Sequence, residues 1–156
     1  MKMCRGFTLL ELMVTVAVVA ILATVGVPSF RDLIQNNRVT TQTNELVTAL
    51  NFARTEAVKR ARAVEVVIDQ TDSGWEADVR LSTDPTTILR EVDRAGSGIT
   101  VNQLTVEFAA TGALMEPAVR HDLQMEPKAV SDDRYKRCVS IALSGQITTV
   151  REACPQ

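Results

Sequence analysis

The sequence predicts an α+β protein: a long N-terminal helix, membrane-like in its first half and amphipathic in its second, packed on a C-terminal antiparallel β domain. Three observations predict it. From Phe7 to Pro28, 16 of 22 residues are apolar and Glu11 is the only charge. Further on, Leu46, Leu50, Ala53 and Ala57 follow the spacing of one buried helix face. From Ala63 the apolar period changes from that of a helix to that of a strand.

Composition narrows the function. The 156 residues hold one compact domain with an appendage. At 46% hydrophobic residues a wholly disordered chain is excluded. Seventeen Lys+Arg against 19 Asp+Glu leave a net charge of −2, with no global attraction to nucleic acid. One His and three Cys are little material for a zinc site. Gly96-Ser97-Gly98 is not the Gly-x-Ser-x-Gly of a nucleophile elbow, and no Gly-rich phosphate loop with Lys occurs. His121 reads as a solvated side chain in a polar loop. The chain is therefore read as a non-enzyme with no cofactor and no metal.

Taken in order, residues 7–28 form a helix that rises about 33 Å, enough for a hydrocarbon core of about 30 Å. The run is too long for an ordinary cleaved signal. A simple signal anchor, with Lys2 and Arg5 held inside, fits the composition. Glu11 argues against it, because a carboxylate in such a run costs several kcal/mol unless it is paired. A positive group on a neighbouring subunit would explain its presence.

Pro28 is expected to end or kink this helix. Helical periodicity then resumes with Phe30, Leu33 and Ile34, and residues 29–62 read as an amphipathic continuation whose apolar face packs on the following domain. Arg54, Glu56 and Arg60 read as spaced ion pairs on its solvated side.

Residues 63–156 read as a soluble, β-rich domain. Val64, Val66 and Ile68, a turn at Asp72-Ser73-Gly74, and Trp75, Ala77, Val79 and Leu81 make a hairpin with one buried face. Ser82 to Thr87 reads as a loop, Ile88 to Val92 as a short strand, and Leu104, Val106 and Phe108 as another. Glu116 to Lys136 reads as a long surface loop. Val139, Ile141 and Leu143, a turn at Ser144-Gly145, and Gln146 to Arg151 make a final hairpin.

Three segments carry a family resemblance. Gly6-Phe7-Thr8-Leu9-Leu10-Glu11-Leu12 resembles the leader junction of bacterial type IV prepilins and pseudopilins. Leu50-Asn51-Phe52-Ala53-Arg54-Thr55-Glu56-Ala57-Val58-Lys59-Arg60 resembles the end of the long helix in the GspH/FimT/FimU group of minor pilins and pseudopilins, with Thr55 where Ser is common. Val106-Glu107-Phe108, with Gly112 after a spacer, resembles a strand of the same group. The resemblance implies a pilin-like fold. It implies a leader, residues 1–6, cut between Gly6 and Phe7 by a prepilin peptidase, with N-methylation of Phe7 by the same membrane machinery. Glu11, at the fifth mature position, would pair with the terminal amine of an adjacent subunit during assembly. Residues 7–28 would then serve as both transmembrane and filament-core helix. The soluble domain would lie in the periplasm, anchored to the inner membrane by one pass, and outside the cell once in a pilus.

In that compartment disulfides persist. Cys138 opens the last hairpin and Cys154 lies just past its end, so a turn at Gly145 brings them together as a staple. Cys4 belongs to the leader.

Three functions follow from the resemblance. The first is a minor type IV pilin that helps initiate assembly at the filament tip, with other minor and major pilins as partners. The second is a minor pseudopilin of a type II secretion system. The third is a DNA-binding pilin of natural transformation. DNA-binding members carry a Gly-Arg-x-Arg stretch where this chain reads Gly145-Gln146-Ile147-Thr148, so a patch would have to come from Arg134, Lys136, Arg137 and Arg151.

Overall fold

A computed structural model describes residues 7–115, 121–130 and 132–155. The leader and its Gly6 lie outside the described residues. One helix, α1, runs from Leu9 to Arg60 and contains Pro28. Of the two effects expected of Pro28, an end or a kink, the end does not occur: the helix runs on as one element to Arg60. The chain divides into two compact units, residues 1–36 and 37–156.

In the first unit the apolar side chains are exposed along the helix, from Leu9 and Leu10 to Phe30, Leu33 and Ile34. The helix is long and apolar enough to cross a membrane. In the second unit a buried stripe starts at Val39, later than Phe30, and continues through Leu46, Ala49, Leu50, Ala53 and Ala57. Small residues at Ala49, Ala53 and Ala57 keep this face narrow, which lets strands approach closely. The helix stops in a Schellman motif. Ala61 takes a left-handed φ of 51°, Arg62 N–H donates to Ala57 O at 3.2 Å, and Ala61 N–H to Val58 O at 3.3 Å.

Among the described residues eight strands follow: β1 (Val64–Gln70), β2 (Trp75–Leu81), β3 (Asp84–Asp93), β4 (Ile99–Val101), β5 (Leu104–Phe108), β6 (His121–Pro127), β7 (Arg137–Ile141) and β8 (Ile147–Val150). They make two four-stranded sheets, ordered β3-β2-β1-β5 and β4-β6-β7-β8, with antiparallel pairing throughout. Val64, Val66, Ile68, Trp75, Ala77 and Val79 from the first sheet, and Leu123, Met125, Val139 and Ile141 from the second, join the helix stripe in one core. Trp75 is fully buried, and its indole N–H donates to Gln42 Oε1 at 3.1 Å.

Three readings of the sequence need correction. The segment read as a loop at Ser82 to Thr87 is strand from Asp84 onward, with Pro85 tolerated because β3 is an edge strand. The segment read as a long surface loop contains β6, whose Leu123, Met125 and Pro127 are buried in alternation, and a short 3₁₀ turn at Asp133–Tyr135. His121 consequently opens a strand, opposite Ile141, and is half-buried.

The first sheet's outward face is acidic. Glu76 stands opposite both Asp69 and Asp93, Asp78 opposite Glu91, and Glu65 opposite Glu107. Among these only Glu65 has an ion pair, to Arg80 at 2.7 Å.

Candidate functional site

Phe7 precedes the helix and is 77% exposed. Thr8 and Glu11 close a capping box around the first turn. Glu11 Oε2 accepts from Thr8 N–H at 3.0 Å and from Thr8 Oγ1 at 2.9 Å, while Glu11 N–H donates to Thr8 Oγ1 at 3.2 Å. Two backbone donors that the helix leaves unpaired are thereby satisfied. The carboxylate thus has a role inside its own chain. Both of these contacts fall on one oxygen, so Oε1 keeps its acceptor capacity.

At the other end of the helix the Ala-Arg-Thr-Glu-Ala segment does two things. Glu56 is buried and receives Arg60 Nε at 2.6 Å and Lys59 Nζ at 3.4 Å. The Arg60 hydrogen bond holds its carboxyl below the usual carboxylate range. Arg54 belongs to no such pair. Its Nε donates to Gly112 O at 3.0 Å and its Nη2 to Ser144 O at 3.3 Å. It therefore clamps the helix to two turns, one after β5 and one between β7 and β8. The two turns also meet directly, since Leu114 N–H donates to Leu143 O at 3.0 Å.

Cys138 and Cys154 form a disulfide with Cα atoms 4.9 Å apart. Cys154 N–H also donates to Gln124 Oε1 at 3.3 Å, and Gln124 is the cross-strand partner of Cys138. The C-terminal segment therefore lies across the outer face of the second sheet. All five residues of β7 are buried, Val139 and Ile141 in the core and Cys138 at the bridge.

The four cations considered for nucleic acid are mostly engaged with their own chain. Arg134 pairs with Asp132 at 2.8 Å, and Lys136 with Asp133 at 2.8 Å and Glu126 at 3.6 Å. Arg134 lowers the Asp132 pKa, and Asp133 raises that of Lys136. Arg137 is buried and donates to Lys136 O at 2.8 Å; burial, then the Arg151 charge, lowers its pKa. Arg151 is exposed.

Comparison with known proteins places this geometry. Residues 42–145, two thirds of the chain, match the profile of the family described as "Type II transport protein GspH". The chain belongs to the GspH family of type IV pilin-like proteins. Residues 1–27 match the prokaryotic N-terminal methylation motif. A fimbrial protein of Pseudomonas aeruginosa is 34% identical over 112 residues, covering 71% of this chain and 70% of that one. The type IV major fimbrial protein FimA of Dichelobacter nodosus is 33% identical over 116 residues, with 70% and 68% covered. The crystal structure of the type IV minor pilin FimU of Pseudomonas aeruginosa superposes with a TM-score of 0.60 at 22% identity, covering 72% of this chain and 87% of that one. That last likeness concerns the fold: a long N-terminal helix with antiparallel sheets. GspH-family proteins are structural pilins and pseudopilins rather than enzymes. Membership implies assembly with other pilins and processing by a prepilin peptidase, and the apolar helix with its methylation motif is consistent with an inner-membrane anchor.

Proposed function

We propose that the chain is a minor type IV pilin that helps initiate pilus assembly at the filament tip. In this reading residues 1–6 are removed, Phe7 is the methylated terminus, residues 7–28 form the membrane and filament-core helix, and residues 29–62 continue it. Residues 63–156 form the soluble domain, periplasmic before assembly and extracellular in the pilus. The observation that carries the pilus over a secretion filament is that curated relatives at 33–34% identity, over about 70% of the chain, are fimbrial proteins. Membership in the GspH family supports a minor rather than a major subunit. The same family description favours a second reading, a minor pseudopilin of a type II secretion system. Deleting the gene separates them: loss of surface pili with secretion intact supports the first, and retained pili with lost secretion of folded proteins supports the second.

The assembly role proposed for Glu11 can be separated from its capping role. Glutamine is accepted at the third position of a capping box, so Glu11→Gln keeps the cap and removes the charge. Both Glu11→Gln and Glu11→Ala are expected to be processed by the peptidase. Both are expected to lose most incorporation into filaments, as read by immunoblotting of sheared pili. Normal incorporation of Glu11→Gln would assign the residue to capping alone.

DNA binding is expected to be absent. Phosphate contacts need clustered free cations, and here Arg134, Lys136 and Arg137 are engaged within the chain while the first sheet turns carboxylates outward. The detergent-solubilised chain should leave duplex DNA unretarded in a gel at low salt; a shift that salt abolishes would restore the transformation reading.

A further inference from the structure

In the second unit the solvent-facing side of α1 carries almost no charge. From Asn37 to Thr55 the exposed helix positions are Asn37, Arg38, Thr41, Asn44, Thr48, Asn51 and Thr55. Arg38 is turned to Ser97 O, to which it donates at 3.0 Å. The others alternate Asn and Thr at steps of four and three residues. Two residues after each of them stand Val39, Thr43, Leu46, Leu50, Ala53 and Ala57, all buried. Two residues are about 200° of helix, so the Asn/Thr stripe runs along the side opposite the core.

Contact with water alone does not account for this stripe. Asn and Thr rank low in helix propensity, and an exposed face is where strong helix formers such as Lys, Glu and Gln are unconstrained by packing. Steps of four and three make a period of about 3.5, which keeps one face against a second helix. In the sequence the same steps reach Phe30 and Ile34 before the stripe and Val58 after it, all apolar and exposed. Several of the stripe's polar hydrogens need no water. Thr48 Oγ1 donates to Asn44 O and Thr55 Oγ1 to Asn51 O, each at 2.7 Å, and Asn51 Nδ2 donates to Val47 O at 2.9 Å. The charges beside the stripe are engaged within the chain: Glu45 with Arg94, Arg54 with Gly112 O, and Lys59 with Glu56.

We propose that this stripe is the seam of a parallel, in-register pair of α1 helices from two copies of this chain. The order of the layers selects the occupant. Asn37, Asn44 and Asn51 share one heptad position, and Thr41, Thr48 and Thr55 share the other. In register every Asn faces an Asn and every Thr a Thr, so each amide meets a group that both donates and accepts. A wholly apolar partner helix would instead bury these amides without partners. The direction follows from the anchor. Both copies enter the membrane by the same N-terminal segment, so their helices leave it parallel and at the same height. The two-fold axis runs along the helices, and the sheets lie on the far side of each helix from it. Confinement of both copies to one membrane raises their effective concentration. The pairing rests on the membrane anchor proposed above and is the same whether the filament is a pilus or a secretion filament.

The register makes a specific test possible. Packed helices lie about 8–10 Å apart, and each Cα sits about 2.3 Å from its own axis. Facing Cα atoms of the seam are then about 5 Å apart, inside the disulfide range. A slip of four residues adds about 6 Å along the axis and takes them outside it. The full chain in a Cys4→Ser background is placed in phosphatidylethanolamine–phosphatidylglycerol vesicles and mildly oxidised. Asn44→Cys should cross-link with itself, and Thr48→Cys with itself. A mixture of the two, one bearing a size tag, should give little mixed dimer. Glu76→Cys, exposed on the first sheet, should stay monomeric. No dimer from the two seam variants, mixed dimer equal to the matched ones, or equal cross-linking of Glu76→Cys would each overturn the proposal. Chains that fail to float with the vesicles would overturn the anchor and the pairing together; chains that float without cross-linking overturn the pairing alone. A second measurement does not depend on the cysteine variants folding. Glu favours the helix more than Thr at an exposed position, so Thr48→Glu should melt no lower in excess detergent. In vesicles it should reduce energy transfer between donor- and acceptor-labelled chains severalfold, and mixing it with Thr48→Lys chains should restore the transfer. Transfer that is absent in the unsubstituted chain, unchanged by Thr48→Glu, or not restored by the opposite charge would also overturn it.

Discussion

Gly145→Ala is expected to destabilise the soluble domain by about 3–5 kcal/mol, among the largest effects of any single substitution here. Two causes add. Gly145 has φ +75°, in the left-handed region where a side chain is strained. A Cβ there would also lie 1.9 Å from Gly112 O, a backbone atom that cannot swing aside. Gly112 O already accepts Arg54 Nε, so relieving the clash would break the clamp between helix and turns. Gly96 provides the control. Its φ is +79°, but nothing lies within 4 Å of the position of a Cβ. Gly96→Ala should therefore cost only the conformational part, about 1 kcal/mol. Urea unfolding of the full chain in detergent, followed through the fluorescence of Trp75, measures both. Equal losses for the two variants would show that the contact between the turns is not rigid.

The long helix was legible because two different signals agree on it: an unbroken apolar run, then a stripe at helical spacing. The hairpin of β1 and β2 was legible because Val64, Val66, Ile68, Trp75, Ala77 and Val79 alternate strictly and all face the core. β6 was not. Its buried positions are Leu123, Met125 and Pro127, none β-branched, and Pro127 reads as a breaker. What makes it a strand is pairing on both sides, with β4 at one edge and β7 at the other. β3 was read too short because Pro85 carries a loop signal that an edge strand overrides.

The candidate site divides in the same way. The capping box is legible as Thr8-Leu9-Leu10-Glu11, a pattern at fixed spacing, while the same charge within an apolar run also suits a partner outside the chain. The engagement of Arg134 and Lys136 was also local, since Asp132 and Asp133 adjoin them. The role of Arg54 was out of reach. Its acceptors Gly112 and Ser144 are 58 and 90 residues away, and only the packed fold brings them together. A helix arginine beside Glu56 reads as an ion pair until that geometry is known.

Replacing both Cys138 and Cys154 by serine is expected to cost about 3 kcal/mol, the chain-entropy value for a loop of this length. The sequence separation is 16 residues. The loss should be concentrated in the second sheet. One face of β7, with Val139 and Ile141, is covered by the core, and on the other Cys138 is bridged to the C-terminal segment. Among the described residues beyond Val150, that segment is held by the bridge and by the hydrogen bond from Cys154 N–H to Gln124. Without the bridge, one hydrogen bond worth about 1 kcal/mol must offset the entropy of ordering several residues, and it cannot. The segment should detach from position 138 and Gln124, while β8 loses its closing constraint. Hydrogen exchange on the full chain should then accelerate in β7 and β8 and remain slow in β1 and β2, whose pairing does not involve the bridge. The unsubstituted chain treated with reductant should behave in the same way. Coincident urea transitions for oxidised and reduced protein would show that strand pairing alone holds the C-terminus. Acceleration spread evenly over both sheets would show that the two sheets unfold as one cooperative unit.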